Sequence, residues 1–283
     1  MVGKLYLVAT PIGNLQDISH RAIAILQQVA AIACEDTRVS RHLLDALGID
    51  KPLFALHQHN EHGAAQALLS RLQAGEDIAV ISDAGTPVIS DPGAWISRLA
   101  HENGITVVPI PGANAVITAL CASGLTGDCF HFAGFIPAKN GERLQFLSRF
   151  QTARETTIFY ESPHRIEDSL IAMQSLFSPA RRLVIARELT KTFEQIVSLR
   201  IDNALEWFNS DSNHRRGEFV LLLAAEENPT NNQAWHSFAE ELLNEGLSLK
   251  IISRLMQNHC GANKKEVYNY LLTKKDDINA ANR

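Results

Sequence analysis

The sequence predicts two α/β domains followed by a small helical domain. Three observations carry that expectation. Over the first 125 residues, short apolar runs alternate with apolar residues at helical spacing, the pattern of strands and helices that share a largely parallel sheet. Further strand-like runs follow up to residue 225, but the last two lack a long helix between them, which points to a mixed sheet. Then Glu226-Glu227-Asn228-Pro229-Thr230-Asn231-Asn232, polar and rich in breakers, marks a linker to a helical tail. The expected domains are therefore 1–124, 129–225 and 233–283.

The elements follow in order. Leu5-Tyr6-Leu7-Val8 is the first strand, and Ala22, Ile25, Leu26 and Val29 recur on one helical face. Residues 52–56 read as a strand, and Leu68, Leu69 and Leu72 mark a helix ending near Gly75. Ile78-Ala79-Val80-Ile81 is a buried strand. Asp91-Pro92 reads as a helix start, with Asp91 as N-cap and Pro92 in the first turn, and Asn103-Gly104 as its end. Thr106-Val107-Val108 is a strand, residues 113–121 a helix, and 123–128 a small, flexible boundary. Beyond it, 157–160, 183–186, 195–199 and 219–224 read as strands, and Ser162-Pro163 opens a helix with Ile166, Leu170 and Met173 on one face. In the tail, Phe238, Leu242 and Leu243 make one helix, and Leu249, Ile252 and Leu255 a second. A turn at Gly261 precedes a third helix with Val267, Tyr268 and Leu271, an arrangement similar to a helix-turn-helix.

Composition bounds the function classes. The 283 residues are 46% hydrophobic and 20% charged, ordinary for a globular protein with sizeable cores. A net charge of −5 argues against a surface coated in basic residues for bulk nucleic-acid binding, although a local basic patch suffices for RNA. The four cysteines, Cys34, Cys121, Cys129 and Cys260, form no CxxC pair and read as reduced thiols packed in the core. No metal site is expected. No signal peptide or membrane span is apparent, so a soluble cytoplasmic protein is expected.

The loops that follow strands carry the chemistry, because ligands bind outside the carboxyl ends of the strands in open α/β sheets. Three such loops combine glycine, proline and small residues: 10–14 (TPIGN), 82–93 (SDAGTPVISDPG) and 109–115 (PIPGANA). They allow a ligand to approach the backbone closely. None matches GxGxxG or GxxxxGK[ST], which disfavours a dinucleotide or P-loop cradle. Asp83, just after a strong strand, can reach a ligand, whereas Asp91 reads as a helix cap. Charged motifs sit at other strand ends: Glu35-Asp36-Thr37-Arg38, Tyr160-Glu161-Ser162-Pro163-His164-Arg165, Ala186-Arg187-Glu188-Leu189-Thr190-Lys191 and Gly217-Glu218-Phe219-Val220. Their mixture suits either a polar cleft or mutual salt bridging across an interface.

With these motifs in place, the chain resembles the tetrapyrrole methylase-like (class III) methyltransferases, in the branch that acts on small-subunit ribosomal RNA. The matching stretches are TPIGNLQDIS (10–19), EDTR (35–38), SDAGTPVISDPG (82–93), PGANAVITAL (111–120), FAGFIP (132–137), YESPHRI (160–166), ARELTK (186–191) and GEFVLL (217–222). The resemblance implies two α/β domains of tetrapyrrole methylase type with S-adenosylmethionine in the cleft between them, and a homodimer. It implies 2′-O-methylation of a cytidine in the decoding region of 16S ribosomal RNA. By motif it places Pro11, Asp83, Val88, Asn114 and Ala115 at the cofactor from the first domain, and Tyr160, Glu161 and Ala186 from the second. The loop at 84–87 departs from the simpler Gly-Asp-Pro loop of tetrapyrrole enzymes.

A ribose hydroxyl is a poor nucleophile until its proton is taken. Glu161 or Glu188 is the candidate base, and Arg38 or Lys191 the candidate cation beside the alkoxide. Between Asn244 and Lys275, six cations, Lys250, Arg254, Lys264, Lys265, Lys274 and Lys275, stand against two acids, Glu245 and Glu266. The first four are candidate contacts to RNA phosphates; a solvated face or a dimer contact is the plainer reading of the same charges. Two other functions share these features: a methylase of a small molecule such as a tetrapyrrole, and a non-catalytic RNA-binding or ribosome-assembly factor. Affinity for S-adenosylmethionine separates the factor from both enzymes.

Overall fold

The computed structural model describes residues 1–57, 60–125, 127–226, 234–260 and 262–281. The linker expected at 226–232 falls, beyond Glu226, outside the described residues, as does the turn at Gly261. Met1–Ala225 form one compact unit and Glu226–Arg283 a second.

The first sheet is built from β1 (Leu5–Val8), β2 (Ala31–Cys34), β3 (Leu53–Ala55), β4 (Ile78–Ile81) and β5 (Val107–Ile110), in the order β3-β2-β4-β1-β5. Every pairing in it is parallel. The crossovers are α1 (His20–Gln28), α2 (Thr37–Ala46), α3 (Glu61–Gln73) and α4 (Ala94–Glu102), and α5 (Ala115–Ala122) leaves the last strand. Strand alternation sends Leu5, Ile78 and Val80 to one face, against Leu68, Leu69 and Leu72 of α3. It sends Tyr6, Val8, Ala79 and Ile81 to the other, against Leu26 of α1 and Leu44 of α2. Both faces are thus covered, as a parallel sheet requires. Cys34 is buried in that second core, but Cys121, Cys129 and Cys260 are exposed, so core packing accounts for one of the four thiols.

The second sheet comprises β6 (Phe130–Phe135), β7 (Thr156–Glu161), β8 (Arg182–Arg187), β9 (Gln195–Arg200) and β10 (Phe219–Leu223), in the order β6-β7-β10-β8-β9. Only β6 and β7 are parallel, so the sheet is mixed. α6 (Asn140–Ser148), α7 (Ile166–Leu176) and α8 (Ala204–Ser210) cover one face. The other face is covered by α5: Val116, Ala119 and Leu120 pack on Ile158, Val184, Ala186, Val220 and Leu222. The last helix after the first sheet therefore supplies the lid of the second sheet's core and fixes the two lobes together.

The second unit holds α9 (Ala234–Asn244), α10 (Leu249–Cys260) and α11 (Lys264–Ala281). Trp235, Ala239, Ile252, Met256, Val267 and Leu271 form its core. No helix among the described residues is long and apolar enough to cross a membrane.

Candidate active site

Because β4, β1 and β5 are neighbours, the loops at their carboxyl ends lie side by side. Hydrogen bonds weld the loops together. Thr10 and Gly85 exchange backbone bonds of 2.8 and 3.1 Å, and the Thr10 hydroxyl donates to the Ser82 carbonyl at 3.1 Å. The Thr86 hydroxyl donates to the Ala113 carbonyl at 3.1 Å, and Asn114 Nδ2 to Thr86 Oγ1 at 3.2 Å. The other end of the same side chain, Asn114 Oδ1, caps α5 by accepting from the Ile117 N–H. Gly112 lies so close to the first loop that a Cβ there would meet Ala9 Cβ at 2.8 Å.

These loops form one wall of a cavity of about 340 Å³, and the second lobe forms the other. The first lobe contributes Ile12, Asp83 to Thr86, Ile89, Ser90, Asp91, Asn114 and Ala115. From the second come Phe135, Tyr160, Glu161, Ser162, Pro163, Leu189, Glu218, Phe219 and Val220. Of the residues singled out in the sequence, Asp83, Asn114, Ala115, Tyr160 and Glu161 meet here. Pro11 and Val88 lie beside lining residues but off the wall. Ala186 is fully buried in the core beneath it, its methyl turned toward α5.

The four candidate catalytic groups do not converge. Glu161 is on the wall, yet its carboxylate is turned onto α7: it accepts from the Ser162 N–H at 2.7 Å and the Ser169 hydroxyl, and lies 3.3 Å from Arg165 Nε. Glu188 is held by Lys191 at 2.8 Å, and Lys191 also pairs with Glu218 at 3.0 Å. Burial pushes the Glu188 carboxyl up, but the Lys191 ammonium and the Glu218 N–H outweigh it and leave it below its ordinary value. Arg38 has an exposed side chain paired with Asp36 at 2.7 Å, away from the cavity. Arg187 is also structural, donating twice to the Arg216 carbonyl.

Asp91 departs most from its expected role. The N-cap position of α4 belongs to Gly93, at φ 123°. Glu61, reaching over from α3, accepts from the N–H groups of Gly93 and Trp95 at 2.9 and 3.1 Å. The helix is capped by another helix's carboxylate, and Asp91 lines the cavity instead. Burial, then the charges of Glu35 and Asp83, push its carboxyl up to about 6, against a smaller lowering by the Ser82 hydroxyl. Burial, then the Asp91 charge, push the Tyr160 phenol up to about 12. The Tyr160 oxygen accepts from the Val116 N–H at the start of α5, which ties the second wall to the first lobe.

Every charged residue lining the cavity is acidic: Asp83, Asp91, Glu161 and Glu218. Beside them lie the apolar side chains of Ile12, Phe135, Leu189, Phe219 and Val220. Such a lining suits a molecule with an apolar planar body and positive charge. Among the described residues, no group of three or more His, Cys, Asp or Glu is placed to hold a metal ion.

Residues 4–205 match the model of the tetrapyrrole (corrin/porphyrin) methylases. The chain belongs to that family. Within it, the chain is 47% identical over 274 residues to ribosomal RNA small subunit methyltransferase I of Pasteurella multocida, covering 95% of this chain and 97% of the relative. It is 48% identical to the protein of the same name from Haemophilus influenzae, covering 95% and 96%. Among solved structures, uroporphyrin-III C-methyl transferase from Thermus thermophilus, complexed with S-adenosyl homocysteine, superposes with a TM-score of 0.55 at 17% identity. It covers 78% of this chain and 97% of that one, so this methylase shares the fold of the two lobes.

Phe135 and Glu218 belong to the site although the sequence singled them out only as parts of motifs. Their signal was present in FAGFIP and GEFVLL, but neither motif says which side chain faces the ligand.

Proposed function

We propose that the cavity binds S-adenosylmethionine and that the protein methylates the 2′-hydroxyl of a cytidine in the decoding region of 16S ribosomal RNA. The observation that carries this reading is the acid-lined cavity, in a chain nearly half identical, end to end, to methyltransferases named for small-subunit ribosomal RNA. The bound cofactor supplies a methyl group already activated on a sulfonium. The carboxylates of Asp83 and Glu218 suit its positive charge, and Ile12, Leu189 and Phe219 suit its adenine. Asn114, by capping α5 and holding Thr86, fixes the loop against which the cofactor rests. Glu161 fixes the Ser162-Pro163 turn of the opposite wall. With the reacting groups held in line and water excluded, positioning supplies much of the rate.

Substrate capture is assigned to the second unit. Lys250, Lys264 and Lys265 line a shallow groove with Gln257, Asn263 and Tyr268. Three cations beside a half-exposed aromatic ring suit an RNA strand, phosphates on the lysines and a base on Tyr268; Arg254 lies off the groove on the same helix. The reading also includes a cytoplasmic homodimer.

Two measurements test this function. Calorimetry with S-adenosylmethionine is expected to show binding, and labelled methyl is expected to pass to isolated small subunits and not to free porphyrinoid precursors. Transfer to the precursors alone would make the protein a small-molecule methylase, and no cofactor affinity at all would leave an assembly factor.

A further inference from the structure

The cavity has four carboxylates, and three of them are already committed. Glu161 is sealed by Ser162, Arg165 and Ser169. Glu218 holds Lys191. Asp83 accepts from the Asp36 N–H at 3.1 Å, tying the loop after β2 to the loop after β4. Asp91, like Asp83, has no ion pair among the described residues; its side-chain partner is the Ser82 hydroxyl of its own loop, and Glu61 has relieved it of capping α4. The backbone that delivers it is strained: Val88 and Ser90 sit at φ 76° and 66°, where non-glycine residues are uncommon and a β-branched one such as Val88 is an outlier. Strain of that kind persists where the surrounding structure holds a functional group in place. Here the Thr10, Ser82 and Thr86 bonds hold the loop.

Resting on the methyltransferase reading above, we propose that Asp91 is the proton acceptor for the attacking ribose hydroxyl. An electron pair of the ribose oxygen forms the new oxygen–carbon bond. The sulfur–carbon bond breaks with its pair remaining on sulfur, and the hydroxyl proton passes to the Asp91 carboxylate. The positive charge of the sulfonium is thus discharged as the carboxylate is neutralised, and no further reactant is required. A base works best when its pKa lies near the operating pH. Asp91, at about 6, is closer to neutrality than an ordinary carboxylate. The groups facing it are Glu35 after β2, Asp83 and Ser82 after β4, and Tyr160 on β7; Glu35 in turn faces His57.

The test combines Asp91→Asn and Asp91→Glu with measurements on the unsubstituted protein. Asp91→Asn should slow single-turnover methyl transfer to small subunits by about 10²–10⁴-fold. Affinity for S-adenosylhomocysteine should stay within about threefold, because the base is needed for the proton and not for the hold. Asp91→Glu should restore part of the rate. In full-length protein without cofactor, the ¹³C-labelled Asp91 carboxyl, identified by its absence from Asp91→Asn, should titrate near 6. Asp91→Asn at the unsubstituted rate would overturn the proposal. So would a loss of affinity in step with rate, or a carboxyl titrating in the ordinary aspartate range. Unsubstituted protein that transfers no methyl to any small subunit would sink the methyltransferase reading, and the proposal with it.

Discussion

At the scale of the residue, the molecule keeps an ionisable carboxyl where it costs stability. Asp91 ionises near 6 in the fold against an ordinary 3.8. Between those values the native state holds the proton more tightly than the unfolded chain, so stability falls as pH rises through that window and stays lower at neutral pH. Screening of a half-buried group limits the effect to about 1 kcal/mol. Asp91→Asn is therefore expected to raise the Tm at pH 7.5 by about 2–4 °C, with the gain gone at pH 4, in scanning calorimetry. Asn114 shows the opposite economy, one side chain serving both fold and site. Asn114→Ala removes the α5 cap and the tie to Thr86 at once. It should cost about 0.5–2 kcal/mol of stability and weaken cofactor binding, which calorimetry reads separately.

At the scale of the element, the decisive feature is how closely the loops at the carboxyl ends of β1 and β5 approach. Gly112 has no room for a side chain: a Cβ would press Ala9 Cβ at 2.8 Å and Ala9 O at 3.4 Å. Gly112→Ala should push those loops apart at about 1–3 kcal/mol and lower cofactor affinity. Unchanged affinity in that variant would show that loop spacing does not shape the pocket. The sequence made these loops legible because glycine and proline mark turns locally. It also made β1, β4 and α3 legible, whose apolar periods are strong. β2 was not, since Ala31-Ile32-Ala33-Cys34 is short and half alanine, with little strand propensity. β6 hides behind Gly134, at φ 77°, where the register with β7 shifts. The role of Asp91 was hidden for a different reason: Asp-Pro spacing is a local cap signal, and the actual cap comes from Glu61 on another helix. The double duty of α5 shows only faintly, in a run (AVITALCA) apolar nearly all round, as a helix buried on more than one side must be.

At the scale of the whole molecule, an acidic protein is asked to handle RNA. The cavity is lined with carboxylates, so affinity for phosphates must come from elsewhere, and we assign it to the lysine groove of the second unit. Removing residues 232–283 should leave cofactor affinity intact and abolish transfer to small subunits. Substituting Lys250, Lys264 and Lys265 together by alanine should weaken subunit binding and flatten its dependence on salt, since fewer counterions are released. Truncated protein with full transfer activity would return the RNA contacts to the two α/β lobes.

The proposed reaction places a methyl group on one ribose of the small subunit. Mass mapping of small-subunit ribosomal RNA nucleosides from cells with and without the protein tests it most directly. One 2′-O-methylcytidine is expected to disappear with the protein, to return with the unsubstituted chain, and not to return with Asp91→Asn. An identical set of methylated nucleosides in both cells would contradict it.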